Sequence, residues 1–300
     1  MQIGVALPQM APGYGPATTL DWARRIDSGP FSSVSVGERV TFSNPEMVAT
    51  LGACAAVTER VQVLANLWVL PQHPTAMVAQ QIGTLDQLSD GRLEVAVGVG
   101  GREHDYRALG AEFTRRHQQL DDKVAELQSL LAGEPPFEGA DPVGPACVQP
   151  GGPIILAGAM GPKAMRRAAR WADGISGFSI AGDAEEIAAA GALADRCWAE
   201  AGRTTTPRKV SGCFTALGVT DASEALRSFT ARYLGFLGPE LAELVAGSVR
   251  AASPEVLAAI LDDAEQAGCD EFILVPAVTD PNFLEVAAEV VGARSTPDFA

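Results

Sequence analysis

The sequence has few of the features that mark several protein classes. No apolar run approaches the roughly 20 residues of a membrane helix. The start, MQIGVALPQM, lacks the basic lead-in and cleavage site of a signal peptide, so a cytoplasmic location is predicted. The cysteines are odd in number and scattered, which predicts neither a disulfide framework nor a metal site. They are Cys54, Cys147, Cys197, Cys213 and Cys269.

Positive charge is also scarce. The chain has 22 Lys and Arg against 37 Asp and Glu, a net charge of −15. Nucleic acids and anionic membranes select basic surfaces, so neither is an expected partner. A small ligand remains compatible with this charge, because a few local donors can outweigh a global field. The predicted partner is therefore a small-molecule substrate.

Short apolar runs alternate with amphipathic helical runs along the whole chain, in eight pairs. Alternating strands and helices predict a parallel sheet, because each right-handed crossover needs a covering helix. Eight pairs predict a closed (β/α)8 TIM barrel forming a single domain over residues 1–300. The predicted strands are residues 2–7, 32–36, 61–65, 93–97, 154–157, 174–178, 210–219 and 271–275.

An open doubly wound sheet is the alternative fold, but Pro8-Gln9-Met10 leaves no room for its glycine-rich first turn. Three helix ends can be assigned. One helix is predicted to begin at Asn44-Pro45-Glu46, with a cap, a proline and an acid in order. Another opens at Pro74 and ends at Asp90-Gly91. Residues 134–152, rich in proline and glycine, are predicted to be a surface excursion. Residues 102–106 are predicted to be the loop after strand four, and a helix is predicted from Ala164 to Ala172 after strand five.

Three segments, in chain order, resemble the luciferase-like family of flavin and deazaflavin oxidoreductases. Residues 58–110 read TERVQVLANLWVLPQHPTAMVAQQIGTLDQLSDGRLEVAVGVGGREHDYRALG. The family pattern there is T-E-R-[IV], L-P-x-[RQ]-H-P, L-D-x-L-S-x-G-R and a G-V-G strand end. This chain departs from the second element by one residue, since residues 70–74 read L-P-Q-H-P. Residues 153–174, PIILAGAMGPKAMRRAARWADG, resemble its fifth strand, phosphate loop and helix. Residues 267–281, AGCDEFILVPAVTDP, resemble its eighth-strand region.

The resemblance implies a flavin-type ring at the C-terminal mouth of the barrel. Family members use FMN to activate oxygen or coenzyme F420 to transfer hydride. The short chain, the N-L-W-V-L-P turn and the G-V-G-G strand end at residues 98–101 favour an F420-dependent oxidoreductase acting on a small organic substrate. The alternatives are an FMN-dependent luciferase-like monooxygenase, which uses reduced flavin and O2, and a non-catalytic ligand-binding barrel. A homodimer is expected because relatives are often homodimers.

The candidate cofactor-binding residues lie at or just after the ends of predicted strands two to five, at the mouth where barrel enzymes place their chemistry. The glycines after strand four let backbone approach a planar ring, although a plain turn would also need them. The loop after strand five precedes a helix N-terminus, which attracts phosphate. At the end of strand three the resemblance implies a non-prolyl cis peptide against the ring. The set is Glu38, Asn66, Leu67, Trp68, Gly98, Gly100, Gly101, Ala157, Gly158, Ala159, Met160 and Gly161.

The family's Asp-His or Glu-His pair is replaced here by Glu38-Arg39. An imidazole can shuttle a proton, whereas a guanidinium cannot. Arg39 is therefore a candidate to orient an anionic substrate or stabilise an oxyanion, or it forms a rim ion pair with Glu38. Glu103 and His104 are the candidate acid or base.

The remaining polar residues of these motifs have structural interpretations. Asp105 is predicted to cap the following helix, and His73 to position a helix start. His117 and the arginines beyond the phosphate loop, Arg166 and Arg167, are predicted to face solvent. The side chains expected around the substrate are Gln9, Glu38, Arg39, Trp68, Glu103, His104 and Phe178. The sequence does not specify the substrate.

Overall fold

The computed structural model describes residues 1–294, which form eight strands and eleven α-helices. The strands are β1 Gln2–Ala6, β2 Ser33–Val36, β3 Gln62–Trp68, β4 Leu93–Val97, β5 Ile155–Ala157, β6 Gly174–Ser176, β7 Arg208–Thr215 and β8 Glu271–Pro276. The helices are α1 Pro16–Ser28, α2 Met47–Val57, α3 Thr75–Leu88, α4 Glu103–Ala108, α5 Arg116–Leu131, α6 Gly161–Ala168, α7 Ala184–Glu200, α8 Ala222–Leu234, α9 Pro239–Ala246, α10 Pro254–Gln266 and α11 Asn282–Arg294.

The strands form a closed parallel barrel in chain order from β1 to β8, which confirms the predicted (β/α)8 fold. β1 pairs with β8 through Gln2↔Glu271 to Val5↔Leu274. All five residues of β4 are buried, as expected where a parallel sheet is covered on both faces. No helix among the described residues is long and apolar enough to cross a membrane.

Contacts group the chain into two compact units. One unit comprises Met1–Ser35, Gly177–Ala192 and the chain from Lys209, and Phe214 lies in its aromatic core. The other comprises Val36–Ser176 and Leu193–Arg208, and Trp198 lies in its core with Met165 and Ile175. A single domain over residues 1–300 remains a prediction, and its last six residues lie outside the described ones.

Two predicted helix starts are wrong. α2 begins at Met47, and its N-cap is Glu46, whose carboxylate accepts from the N–H groups of Val48 (2.9 Å) and Ala49 (2.7 Å). A carboxylate there satisfies two free N–H groups and opposes the positive helix end. The helix after β5 begins at Gly161, one turn before the expected Ala164.

The prediction missed the short helix α4 but was right about the helix α3. Residues 102–106 were predicted to be loop, but Glu103–Ala108 forms the six-residue helix α4. Six residues are too few to show a helical period. The helix from Pro74 to Ser89 is confirmed, and both Asp90 (φ 51°) and Gly91 (φ 75°) adopt the left-handed conformation that ends it.

The excursion over residues 134–152 is largely exposed, as predicted, and its second half is fixed to α3. Asp86 is fully buried and accepts from the backbone N–H (3.0 Å) and side-chain amide (2.7 Å) of Gln149. A Cβ atom on Gly83 would overlap the carbonyl oxygen of Pro145, so the two backbones touch. The excursion therefore has a fixed end beside β5 and an exposed first half.

Candidate active site

The end of β3 has an irregular backbone. The Asn66–Leu67 peptide is cis, as the family resemblance implied, and the register with β4 shifts between Ala65 and Trp68. Asn66 and Leu67 are half-buried, whereas Trp68 is buried. The Asn66 amide oxygen accepts a hydrogen bond from the Ser176 hydroxyl at 2.7 Å. The bulge therefore presents one apolar and one polar side chain, with the polar one held by β6.

The glycines after β4 and β5 make room for this bulge. A Cβ on Gly98 would lie 3.1 Å from Leu67 Cδ2, and one on Gly158 would overlap the same atom. Gly100 has φ 59°, and a Cβ there would lie 3.0 Å from Val69. These glycines therefore have a packing role against Leu67 and Val69. Close approach of a ring to Gly98, Gly100 and the exposed Gly101 remains a prediction.

The loop from Ala157 to Gly161 leads into α6 without a capping side chain. Ala157 and Ala159 are buried, Met160 is 78% exposed, and Gly161 has φ 76° with no atom within 4 Å of a Cβ position. Met160 is the N-cap and makes no side-chain cap hydrogen bond. The first N–H groups of a helix have no partner within it, so this open end is suited to an anion.

Glu38 has other partners than the predicted Arg39. Its carboxylate oxygens lie 2.6 Å from His73 Nε2 and 2.7 Å from the donating N–H of Val69. The interpretation of a Glu38–Arg39 rim pair is therefore wrong. His73, expected to position a helix start, also connects that segment to the end of β2. No local pattern predicts this pair, because its members are 35 residues apart and on different elements.

Arg39 is buried, with 7% of its surface exposed. Its guanidinium carbon lies 4.1 Å from the ring centroid of Phe42, a distance at which a cation is attracted to the ring face. The side-chain amide of Asn44 donates to the Arg39 carbonyl at 3.1 Å. The β2–α2 loop thus fixes this cation by stacking and by its backbone.

Glu103 and His104 are both exposed in the first turn of α4. Asp105, in contrast, is buried and is not a cap. It accepts from the Thr41 N–H (2.8 Å) and hydroxyl, and it lies 3.4 Å from Arg102 Nε. Burial raises the pKa of Asp105, but the Thr41 hydrogen bonds and the Arg102 charge together lower it below the usual 3.8. α4 is therefore fixed to the β2–α2 loop.

Tyr106, the next residue of α4, is buried against the glycine loop. Its hydroxyl donates to the Val99 carbonyl at 2.6 Å. Burial, followed by the negative charge of Glu38, raises the pKa of Tyr106 despite the opposing charge of Arg116. The phenol is therefore a neutral donor that holds the loop after β4.

The other predicted residues are more dispersed. Gln9 and Phe178 belong to the first contact unit, where Phe178 packs edge-on against Phe214 at 4.9 Å. His117 and Arg166 are exposed, as predicted. Arg167 is a correction: its Nε lies 2.7 Å from Asp121, and its guanidinium also donates to the His117 carbonyl. No cluster of three or more potential metal ligands occurs within residues 1–294.

Comparison with known proteins places these features in a family. The sequence profile described as luciferase-like monooxygenase matches residues 1–290. The chain belongs to this family. Its members are oxidoreductases or monooxygenases. An uncharacterized protein of Mycobacterium tuberculosis is 33% identical over 167 residues, which cover 53% of this chain and 56% of that protein. The match thus spans little more than half of the relative.

Solved structures show the same fold. An F420-dependent secondary alcohol dehydrogenase, in complex with an F420–acetone adduct, superposes with a TM-score of 0.79 and 19% identity over 98% of this chain and 99% of that one. The oxygenating constituent of 3,6-diketocamphane monooxygenase from Pseudomonas putida, in complex with FMN, gives 0.71 and 17% over 98% of each chain. At these identities the likeness is one of fold, shared by proteins with either cofactor.

Proposed function

We propose that the protein is a coenzyme F420-dependent oxidoreductase that transfers a hydride between the deazaflavin and a small organic substrate. The observation that carries the proposal is the loop from Ala157 to Gly161 leading into the uncapped end of α6. F420 is favoured over FMN by the N-L-W-V-L-P turn and the G-V-G-G strand end at residues 98–101. A cytoplasmic homodimer remains part of the prediction.

The residues present fit a phosphorylated flavin-type cofactor. The N–H groups of Gly161 and Lys163 begin α6, and no Cβ atom blocks the open side of Gly161. They would hold a phosphate group. The half-buried Asn66 and Leu67, with Gly98 and Gly100, would bind the ring. The bound deazaflavin supplies the hydride chemistry, while the protein supplies orientation and proton delivery.

Three side chains are proposed to act on the substrate. Glu103 and His104, exposed on the first turn of α4, would serve as the acid or base that exchanges a proton with the substrate. Arg39, fixed by Phe42, would orient an anionic group or stabilise developing negative charge. Glu38 is proposed to act through structure, because its carboxylate already binds His73 and Val69.

The test is equilibrium binding of the purified protein to F420 and, separately, to FMN, followed by fluorescence. Micromolar or tighter binding of F420 with weak binding of FMN supports the proposal. The opposite preference, with O2 consumption in the presence of reduced flavin, would establish the FMN-dependent monooxygenase instead. Binding of neither cofactor would support the non-catalytic barrel and overturn the proposal.

A further inference from the structure

A group of cations lies next to the proposed phosphate loop, on α6, in the turn that follows α6, and around the first turn of α5. With a net charge of −15, cations without carboxylate partners are not expected to gather in one place. Among residues 1–294, none of these side chains except Arg167 forms an ion pair. We call them the α5–α6 cation cluster: Arg115, Arg116, Lys163, Arg166, Arg167 and Arg170.

Contacts between the two helices bring the cluster together. Arg167 pairs with Asp121 at 2.7 Å and donates to the His117 carbonyl, so α6 touches the first turns of α5. Lys163 is four residues before Arg167 and therefore shares its helix face, one turn closer to the phosphate loop. Arg116 lies 3.8 Å over the Phe113 ring and donates to the Phe113 carbonyl at 2.9 Å. Its Nε is buried without an acceptor in the described part of the chain.

Like charges crowd at this surface. Burial, followed by the positive charges of Arg116 and Arg167, lowers the pKa of His117 below 6.5, and Asp121 offsets only part of this. The two arginine charges reach the same imidazole, so cations from α5 and α6 lie close enough to repel one another. An anion bound here would relieve the repulsion.

The extent of the cluster indicates more than one negative charge. Arg170 follows Lys163 by seven residues, which corresponds to about 10 Å along a helical path. A single phosphate at the start of α6 cannot contact cations over that distance. The matching ligand is a chain of anionic groups that continues from a phosphate.

We propose that the α5–α6 cation cluster binds the oligoglutamate tail of F420, a run of carboxylates beyond the phosphodiester of that coenzyme. FMN ends at its phosphate and has no such tail. The inference rests on the proposed function and deepens it, because it gives these cations a role in choosing between the two cofactors. Long nucleic acids are a poorer match, since the rest of the surface would repel them.

The test compares the affinity of two forms of the coenzyme, F420 with several glutamates and F420-0, which ends before the first glutamate. Fluorescence titration at low salt should show about tenfold tighter binding of the glutamylated form, as expected for several exposed ion pairs. The advantage should largely disappear in 1 M salt, where charges are screened beyond about 3 Å.

The variant R115Q/R166Q removes one exposed cation from each side of the cluster. It should reduce the advantage of the tail to about threefold or less and leave F420-0 binding unchanged. The matched control R24Q/R196Q removes the same charge from two exposed arginines that also form no ion pair in the described chain. It should retain the full advantage.

The outcomes separate this inference from the proposed function. The tail site would be overturned if the unmodified protein bound glutamylated F420 and F420-0 equally well. It would also be overturned if R115Q/R166Q and R24Q/R196Q lost the affinity advantage of the tail equally. Either result would leave the proposed F420-dependent function standing. Binding of FMN alone, or of no flavin, would overturn both.

Discussion

The contact between Leu67 and the glycines after β4 and β5 shows how single atoms determine the shape of the proposed ring site. Leu67 occupies the space that side chains at Gly98 and Gly158 would fill. These glycines thus make room for a side chain of β3. A cofactor ring bound here would contact Leu67 as well as the glycine backbone. Glycines in such a motif suggest space for a ligand, but here the space beside them is already filled by packing within the protein.

Gly158→Ala should therefore destabilise the protein by about 1–3 kcal/mol, because its methyl group overlaps Leu67 Cδ2. In a Leu67→Ala background the same change should cost markedly less, which a double-mutant cycle of urea unfolding would measure. Gly52→Ala in α2 is the control, since its Cβ would meet only Leu85 at 3.9 Å. Equal costs of Gly158→Ala in both backgrounds would contradict the overlap.

Glu103 and His104 carry the proposed proton transfer. Because both are exposed, the double variant E103Q/H104N should fold normally and lose turnover by about 10²–10⁴-fold, with little change in cofactor affinity. Steady-state kinetics and fluorescence binding would measure the two effects. Arg107→Gln, on the exposed surface of the same helix, is the control and should keep full activity. Undiminished turnover of the double variant would remove the proposed acid.

At the scale of elements, α4 fixes the β2–α2 loop that contains Arg39. Asp105 accepts two hydrogen bonds from Thr41, and Arg102 donates to the Thr41 carbonyl at 3.0 Å. Two loops that follow different strands are thereby held together through one buried carboxylate. Their shared rigidity depends on the charge of that group.

Asp105→Asn should cost roughly 1–3 kcal/mol of unfolding free energy at pH 7, because a charged hydrogen-bond acceptor is lost. The folded pKa of Asp105 lies below 3.8, so its contribution is present above that pH and is lost as the pH falls through the folded value. The gap between the parent protein and the variant in urea unfolding should therefore narrow below pH 3.8. Thr41→Ser, which keeps both donors, is the control; a gap that does not change with pH would contradict this account.

Secondary structure was predictable where the residues of a single element formed a recognisable pattern by themselves. β4 was predicted without error, because an apolar run with turn residues on both sides specifies a buried strand. α4 was missed because one and a half turns show no period. The start of α2 was misplaced because Asn44 and Glu46 both suit an N-cap, and only the folded loop, in which Asn44 binds the Arg39 carbonyl, separates them.

At the scale of the whole molecule, the barrel could be predicted but its tertiary contacts could not. Eight alternating strand–helix pairs can adopt few topologies other than a closed barrel. The Glu38–His73 pair and the overlap of Leu67 with Gly158 connect residues far apart in sequence, and no local pattern encodes them. The positions of the candidate site residues were therefore predictable from the strand ends, whereas the partners of each side chain were not.

The expected homodimer has a specific test. One face of α2 is buried against the barrel, while Ala49 and Ala56 on the same helix are exposed. We expect a particle of about twice 31.2 kDa in light scattering, and Ala56→Arg should shift it to the monomer. Leu244→Arg, at a residue 74% exposed on α9, is the control and should leave the dimer intact. A monomeric parent protein would refute the prediction.

The anchored excursion between α5 and β5 has a practical consequence. It joins a helix to the start of the next strand, which places it at the face of a barrel opposite the catalytic mouth. Gln149 fixes its second half to Asp86, while the stretch around Phe137, 69% exposed, is open to solvent. A fluorophore or affinity peptide inserted between residues 137 and 141 should therefore leave the proposed cofactor and substrate sites free.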